Sequence, residues 1–222
     1  MEDFIWISLT VLRLVVPLTI LRWPLIGILA SIIVDSNDYY LLPLKEEGDY
    51  TQYQAWDKLL DLYYLAFAAF FAYKINDKYI RRVAMCLFAW RLIGVVILEF
   101  TQNRQLLLVF PNVFENFVIF YLVYKLLEPD IAMPRSKLVT AIVVIGLAVP
   151  KQLQEQYLHV AETYPTEVLG GLMQLSTAMY AAYVIIPVLL LAYLTRGFVS
   201  LRRESIHKYS LVYAAIQQKI KP

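Results

Sequence analysis

Four aspartates stand close together in the first third of the chain, in an arrangement suited to binding a metal ion. Asp35 and Asp38 lie three positions apart, and Asp57 and Asp61 lie four positions apart. A spacing of four places two side chains on the same face of a helix. Because hard divalent cations prefer carboxylate oxygens, the sequence predicts Mg²⁺ or Ca²⁺ ligation by Asp35, Asp38, Asp57 and Asp61. A solvated acidic loop that needs no cofactor is the alternative.

A second set of polar residues lies within strongly apolar stretches, where a charge is costly and usually faces the protein interior. The set consists of Arg22, Asp61, Arg91, Glu99, Glu115 and Asn116. Arg91 and Glu115 each lie near the middle of an apolar run, which predicts an ion pair, since a buried arginine needs a carboxylate or carbonyl partner. We interpret the set as a polar binding pocket. The alternative is that the pair only holds two helices together.

The aspartate pairs resemble part of the DxxDGxxAR…GxxxDxxxD signature of CDP-alcohol phosphatidyltransferases, six-helix enzymes that use these aspartates for metal and phosphate chemistry. The resemblance covers Asp35-x-x-Asp38 and Asp57-x-x-x-Asp61. Tyr39 and Tyr53 stand where that signature has glycines, and its Ala-Arg pair is missing. We therefore do not assign the chain to that family, and we keep a metal-dependent, membrane-embedded enzyme acting on lipid as an alternative function.

The elements that position these residues are long apolar segments. Of the 222 residues, 60% are hydrophobic and 17% are charged, an excess of apolar residues that is typical of membrane proteins. Six apolar runs are separated by polar connections, at about residues 4–34, 57–73, 83–100, 106–127, 138–149 and 175–194. The runs are continuously apolar rather than alternating, so they predict helices and not barrel strands. The predicted fold is an all-α polytopic membrane bundle of about six transmembrane helices.

Lysine and arginine are unevenly distributed among the connections between the runs. Thirteen of seventeen fall on one side: Lys74, Lys78, Arg81, Arg82, Lys125, Arg135, Lys137, Arg196, Arg202, Arg203, Lys208, Lys219 and Lys221. The other side has Lys45, Lys58, Arg104 and Lys151. Because cytoplasmic loops are enriched in basic residues, this pattern predicts that both termini are cytoplasmic, with the plasma (inner) membrane as the expected location. One observation disagrees, because the first residues, Met1-Glu2-Asp3, supply no basic group.

The last residues differ in composition from the rest of the chain. Apolar residues recur there at helical spacing, at Ile206, Tyr209, Tyr213, Ile216 and Ile220, with lysines available to the opposite face. This pattern predicts two regions, a six-helix transmembrane domain (1–195) and a basic amphipathic cytoplasmic helix (196–222) that lies on anionic lipid. The sequence leaves open whether copies associate as a homo-oligomer.

The sequence argues against several other kinds of site. With two histidines and one cysteine, bis-histidine haem, histidine-rich zinc and iron–sulfur sites are not expected. The basic residues fit membrane topology better than nucleic-acid binding. Our leading hypothesis is a multi-pass protein that binds or transports a small solute, ion or lipid through an intramembrane pocket open to the non-cytoplasmic side. The alternatives are the lipid enzyme and a non-catalytic membrane assembly factor.

Overall fold

The computed structural model describes residues 2–41, 50–101, 106–155 and 181–220. Within these ranges every regular element is helical, which confirms the all-α prediction. α1 (Glu2–Val15) continues into a 3₁₀ segment (Val16–Leu21), followed by α2 (Pro24–Leu41), α3 (Tyr50–Tyr73) and α4 (Lys78–Thr101). α5 (Leu106–Val109), α6 (Val113–Leu127) and α7 (Lys137–Glu155) come next, and a π-helical turn (Ala181–Ile185) leads into α8 (Ile186–Ile220).

The first apolar run is not one helix, contrary to the prediction of a single crossing segment. Pro17 has no N–H to continue the α-helical pattern, so α1 changes to a 3₁₀ segment, and the chain then reverses just before Pro24. Gly27 of α2 lies directly against Ile20: a Cβ on Gly27 would be 2.4 Å from the Ile20 backbone nitrogen. The run is therefore a tight hairpin, in which α1 and α2 pack antiparallel and put Arg13 beside Asp35.

A capped turn joins α3 to α4. Asp77 Oδ1 accepts the backbone N–H groups of Tyr79, at 2.9 Å, and Ile80, at 3.4 Å, while Oδ2 accepts Arg135 Nε at 3.1 Å. Burial acts to raise the pKa of the Asp77 carboxyl, but the two backbone donors and Arg135 outweigh it and hold the pKa below its usual value. The Asp77 carboxylate, in its ionised form, thus caps the start of α4.

α6 is the central helix of the bundle. It contacts α2, α3, α4, α7 and α8, and every residue from 111 to 120 is buried. Asn112 caps its start by accepting the Glu115 backbone N–H at 3.4 Å. The aromatic side chains of Phe114, Phe117 and Phe120 are fully buried and form much of the core. A polar side chain on this helix is therefore held inside the protein by packing on several sides.

The outer surface of the described helices is strongly apolar. Two segments, Lys78–Thr101 and Tyr183–Ser205, are long and apolar enough to cross a membrane by length and composition. Two shorter helical segments, Trp6–Leu21 and Pro24–Asp35, are also apolar. Beyond the two long segments, the six-span arrangement stays a prediction.

α8 runs without a break from Ile186 to Ile220, about 52 Å at the usual helical rise. The predicted boundary at residue 196, between membrane helix and cytoplasmic tail, does not coincide with the end of any element. Arg202 and Arg203 are exposed on this continuous helix. The basic residues are thus attached rigidly to the apolar part of the same helix, rather than through a linker.

Candidate functional site

A single buried arginine organises three of the four predicted metal-binding aspartates. Arg13 Nη1 donates to Asp57 Oδ1 at 2.7 Å, and Nη2 donates to Asp61 Oδ1 at 2.8 Å and also to Asp35 Oδ1. The Arg13 side chain is only 4% exposed, and its Cζ lies 5.1 Å from the centre of the Trp56 ring, a distance typical of a cation–π contact. We call these four charged residues the arginine–aspartate cluster.

Three helices bring the cluster together. The hairpin places Arg13 of α1 opposite Asp35 of α2, and α3 runs alongside α1 in the same direction. The Trp6 and Trp56 rings pack 4.5 Å apart, and Tyr63 Oη donates to the Leu14 carbonyl at 3.1 Å, which fixes the register between α1 and α3. Asp57 and Asp61 share a face of α3 because they are four residues apart, as the sequence predicts.

The cluster has more negative than positive charge. Three carboxylates surround one guanidinium, so full ionisation leaves two negative charges in excess. One oxygen from each of Asp35, Asp57 and Asp61 fits within a 4.8 Å span, close enough for the three to share a cation. The arrangement therefore has capacity for additional positive charge.

A small cavity adjoins the cluster. Its volume is about 10 Å³, which is about the minimum that holds one water molecule. Its polar lining comes from Arg13, Ser31, Asp35, Asp61 and Tyr64. The three carboxylates remain partly exposed, at 40%, 32% and 36% for Asp35, Asp57 and Asp61, so the cluster is open on one side.

Tyr64 and Glu115 extend the polar region from the cavity into the core. Tyr64 is 8% exposed, and its hydroxyl lies beside the Glu115 carboxylate without a hydrogen bond of acceptable geometry to any group. Glu115 on α6 is 5% exposed, and its Oε2 accepts Asn112 Nδ2 at 3.0 Å. The predicted residues Asp61 and Glu115 thus belong to one polar region, on either side of Tyr64.

The predicted ion pair between Arg91 and Glu115 does not form. Arg91 Nη1 instead donates to the Phe110 carbonyl oxygen at 3.1 Å, at the break in the chain before Pro111. Similar depth in the membrane was the basis of the prediction, but depth does not determine which way a side chain points around its helix. The carbonyl is the other kind of partner that a buried arginine accepts.

The remaining residues of the predicted pocket are not gathered with Asp61. Glu99 is exposed and pairs with Lys58, with Nζ to Oε2 at 3.2 Å. Arg22 is exposed at the turn of the hairpin, the opposite end from Asp35. Asn116 is fully buried on α6, and both atoms of its amide group have no hydrogen-bond partner. The side chain of Asp38, the fourth predicted metal ligand, lies outside the described residues.

Sequence reasoning missed Arg13, the centre of the cluster. Arg13 lies in the same apolar run as Arg22, and a single helix over that run predicts no partner for it. The available signal was the pair of prolines at 17 and 24, which bracket Trp23 and allow a reversal of the chain. A hairpin at that position puts Arg13 opposite Asp35.

Comparison with known proteins does not identify a relative. No protein-family model, no curated protein and no solved structure matches this chain. The geometry of the arginine–aspartate cluster and its surroundings is therefore the basis for inferring a function.

Proposed function

We propose that this chain is a multi-pass membrane protein that binds a small inorganic cation, a proton or a metal ion, at the arginine–aspartate cluster. Support for a membrane location comes first from the exposed apolar surface. In the 18-residue apolar stretch of Lys78–Thr101 only 17% is buried, and in that of Tyr183–Ser205 only 22% is buried. A core helix of a soluble protein buries most of such an apolar stretch, whereas a lipid-facing helix leaves it exposed.

Counted over the helices that the structure describes, the hairpin changes the proposed number of crossings from six to seven. α1 with its 3₁₀ continuation measures about 33 Å and α2 about 27 Å, each close to the thickness of a hydrocarbon core of about 30 Å. The other crossings are α3, α4, α5 with α6, α7, and the apolar part of α8. An odd number places Glu2 and the basic end of α8 on opposite sides of the membrane.

This arrangement accounts for the basic residues better than six crossings do. Arg22 at the hairpin turn joins the thirteen cytoplasmic basic residues, because the start of α2 lies at the same end of the bundle as the end of α3. The acidic start of α1, Glu2 and Asp3, moves to the non-cytoplasmic side, where no basic residue is needed. The exposed Arg202 and Arg203 then lie on the cytoplasmic side, where anionic lipid is their proposed partner.

Cysteine labelling tests this orientation. The natural Cys86 is exposed, so the experiment uses a Cys86→Ala background with single substitutions Asp3→Cys or Ser205→Cys. On intact cells a membrane-impermeant thiol reagent labels Asp3→Cys, and it labels Ser205→Cys only after permeabilisation. Protection of both positions in intact cells would instead favour six crossings with both ends in the cytoplasm.

The excess of carboxylates around Arg13 is the observation that carries the binding proposal. A cluster with two surplus negative charges, near a low-dielectric interior, gains stability when a proton or cation neutralises it. The adjoining cavity suits a species no larger than about one water molecule, so a small cation fits better than an organic solute or a lipid. The partial exposure of the carboxylates gives such a cation access from the non-cytoplasmic side.

Thermal unfolding with and without added cations tests the proposal. A cation present at about 100 times its Kd stabilises the folded protein by about 2.7 kcal/mol, which raises the Tm by about 5–10 °C for a chain of this size. Na⁺, K⁺, Mg²⁺ and Ca²⁺ are titrated separately, and proton uptake on acidification is measured in parallel. Asp61→Asn removes the response, whereas Asp130→Asn, an exposed aspartate in the connection after α6, retains it.

A response to none of these cations, together with equal proton uptake by the wild type and Asp61→Asn, would refute the binding proposal.

The alternative of a metal-dependent enzyme acting on lipid is favoured by one observation, the 4.8 Å span of the three carboxylate oxygens. It requires a divalent ion to displace the Arg13 guanidinium. Stabilisation by Mg²⁺ or Ca²⁺, but not by acidification, is the result that would favour it.

A further inference from the structure

The turn between α3 and α4 has a dense group of positive charges. Four basic residues lie within nine positions, at Lys74, Lys78, Arg81 and Arg82. Asp77 is the one acidic residue among them, and its carboxylate already accepts two backbone N–H groups and Arg135 Nε. Within the described ranges, none of the four basic side chains has a carboxylate partner. The turn therefore presents positive charge that the described part of the fold does not neutralise.

Two of these cations lie against exposed aromatic rings instead of extending into solvent. Lys74 Nζ is 4.1 Å from the centre of the Phe70 ring, and that ring is 48% exposed. Arg81 Cζ is 5.8 Å from the centre of the Tyr73 ring, which is 64% exposed. Both distances are in the range of cation–π contacts. Because Phe70 and Tyr73 are three residues apart on α3, they share a face of the helix, and the two cations lie over one aromatic surface. We call these four residues the aromatic–basic surface.

The fold holds this surface in a defined shape. Ile75 and Ile80 are buried on either side of Asp77, which anchors the turn to the core. The backbone N–H of Lys74 donates to the Phe71 carbonyl at 2.9 Å, and the Asp77 side chain caps the start of α4. A ligand that binds here meets side chains on a rigid backbone, so little ordering of the protein opposes binding.

The exposed apolar face of α4 begins at the same turn. Exposed residues recur there at helical spacing, at Arg82, Cys86, Trp90 and Ile93. A ligand that contacts both the turn and this face needs an anionic group at one end and a long apolar chain at the other. A soluble phosphate or an acidic protein segment meets only the first requirement, and a neutral lipid meets only the second. An anionic phospholipid meets both.

We propose that the aromatic–basic surface binds an anionic phospholipid of the cytoplasmic leaflet, with its phosphate between Lys74 and Arg81 and its acyl chains along the exposed apolar face of α4. The site is separate from the arginine–aspartate cluster, which lies toward the other end of α3, and from the exposed arginines of α8. The inference rests on the proposed membrane location. It does not rest on cation binding or on the number of crossings, since residues 74–82 are cytoplasmic with six crossings and with seven.

Native mass spectrometry of the purified full-length protein in detergent, titrated with dioleoyl phosphatidylglycerol, tests the site. Each basic residue close to a membrane contributes a factor of about five to the affinity for anionic lipid. Lys74→Gln therefore weakens the tightest-bound phosphatidylglycerol about fivefold, and Lys74→Gln combined with Arg81→Gln weakens it about 25-fold. Phosphatidylcholine has the same chains without net charge, and it binds the wild type no more tightly than it binds the double variant.

Lys137→Gln is the matched control, because it removes another exposed basic residue of the same proposed side, at the start of α7. It leaves the affinity of the tightest-bound phosphatidylglycerol at the wild-type value. Arg81→Lys keeps the positive charge and most of the affinity, whereas damage to the packing around the half-buried Arg81 would lower the affinity in Arg81→Lys and Arg81→Gln alike.

Two results would overturn the proposed lipid site. Equal weakening by Lys74→Gln and Lys137→Gln would show that basic charge acts without regard to position. Binding of glycerol 3-phosphate as tight as that of phosphatidylglycerol would identify a site for the phosphate group alone. Both results leave the cation response and the cysteine labelling unchanged. A chain that stays folded and soluble without detergent would instead refute the proposed membrane location itself.

Discussion

The α1–α2 hairpin makes a quantitative prediction for the substitution Gly27→Ala. A Cβ at this position would lie 2.4 Å from the backbone nitrogen of Ile20 and 2.7 Å from its Cα. Ordinary van der Waals contact begins at 3.4 Å, so the two segments must separate by about 1 Å. Since the contacting atoms are backbone, no side-chain rotation relieves the overlap.

The expected cost follows from two opposing effects. Overpacking of this kind costs about 1–3 kcal/mol, and contact with backbone puts Gly27→Ala at the upper end. Alanine recovers about 1 kcal/mol of helix propensity relative to glycine, which leaves a net destabilisation of about 2 kcal/mol. For a chain of this length, that lowers the Tm by about 4–8 °C.

Gly197→Ala in α8 is the control, because a Cβ there meets nothing within 4 Å. Gly197→Ala gains only the higher helix propensity of alanine, so it raises the Tm by about 2–4 °C. Both variants are compared with the wild type by thermal unfolding in one detergent. A rise in the Tm of Gly27→Ala equal to that of Gly197→Ala would show that the 3₁₀ segment does not pack on α2, and the hairpin would be refuted.

Three further substitutions test other parts of the structure. Arg13→Gln leaves the cluster carboxylates without their guanidinium and lowers stability by about 3 kcal/mol, and adding Asp61→Asn recovers part of this loss in a double-mutant cycle of unfolding free energies. Gly94→Ala places a Cβ 2.2 Å from Phe110 Cβ and lowers the Tm more than Gly197→Ala raises it. The lowered pKa of Asp77 adds stability that is complete above the usual aspartate value of about 3.9 and is lost as the pH falls through the lower value in the folded protein. Asp77→Asn therefore weakens the acid dependence of the Tm below about pH 4, and an unchanged dependence would contradict this assignment.

Helical structure was predictable because it depends on composition along the chain. Continuous apolar runs without alternation leave helices as the only element that satisfies its own backbone in lipid. The convergence of Asp57 and Asp61 was also predictable, since their spacing alone puts them on one helical face. These inferences need no knowledge of how separate helices are arranged.

The predictions that were wrong concern the direction in which a side chain points and the place where the chain reverses. Composition contains no information about either. A continuous apolar run of about 30 residues is compatible with one tilted helix or with two packed ones, and a local event at Pro17 decides between them. The pairing of Arg91 depends on its orientation around α4 and on the carbonyl of Phe110 at the chain break. Residues in the middle of two apolar runs share a depth, but only the packed structure shows whether they face each other.

In the proposed membrane topology, the hairpin also has a consequence for how this chain enters the bilayer during synthesis. A lone arginine in the centre of a membrane helix opposes insertion by about 2.5–3.5 kcal/mol. Arg13 and Asp35 belong to the same pair of consecutive helices, so the guanidinium meets its first carboxylate before α3 is made. Asp57 and Asp61 then follow together on the next helix and complete the set of carboxylates around the guanidinium. The order of the residues along the chain is thus the order in which the buried charge becomes neutralised, and α1 and α2 are expected to integrate as a pair rather than one at a time.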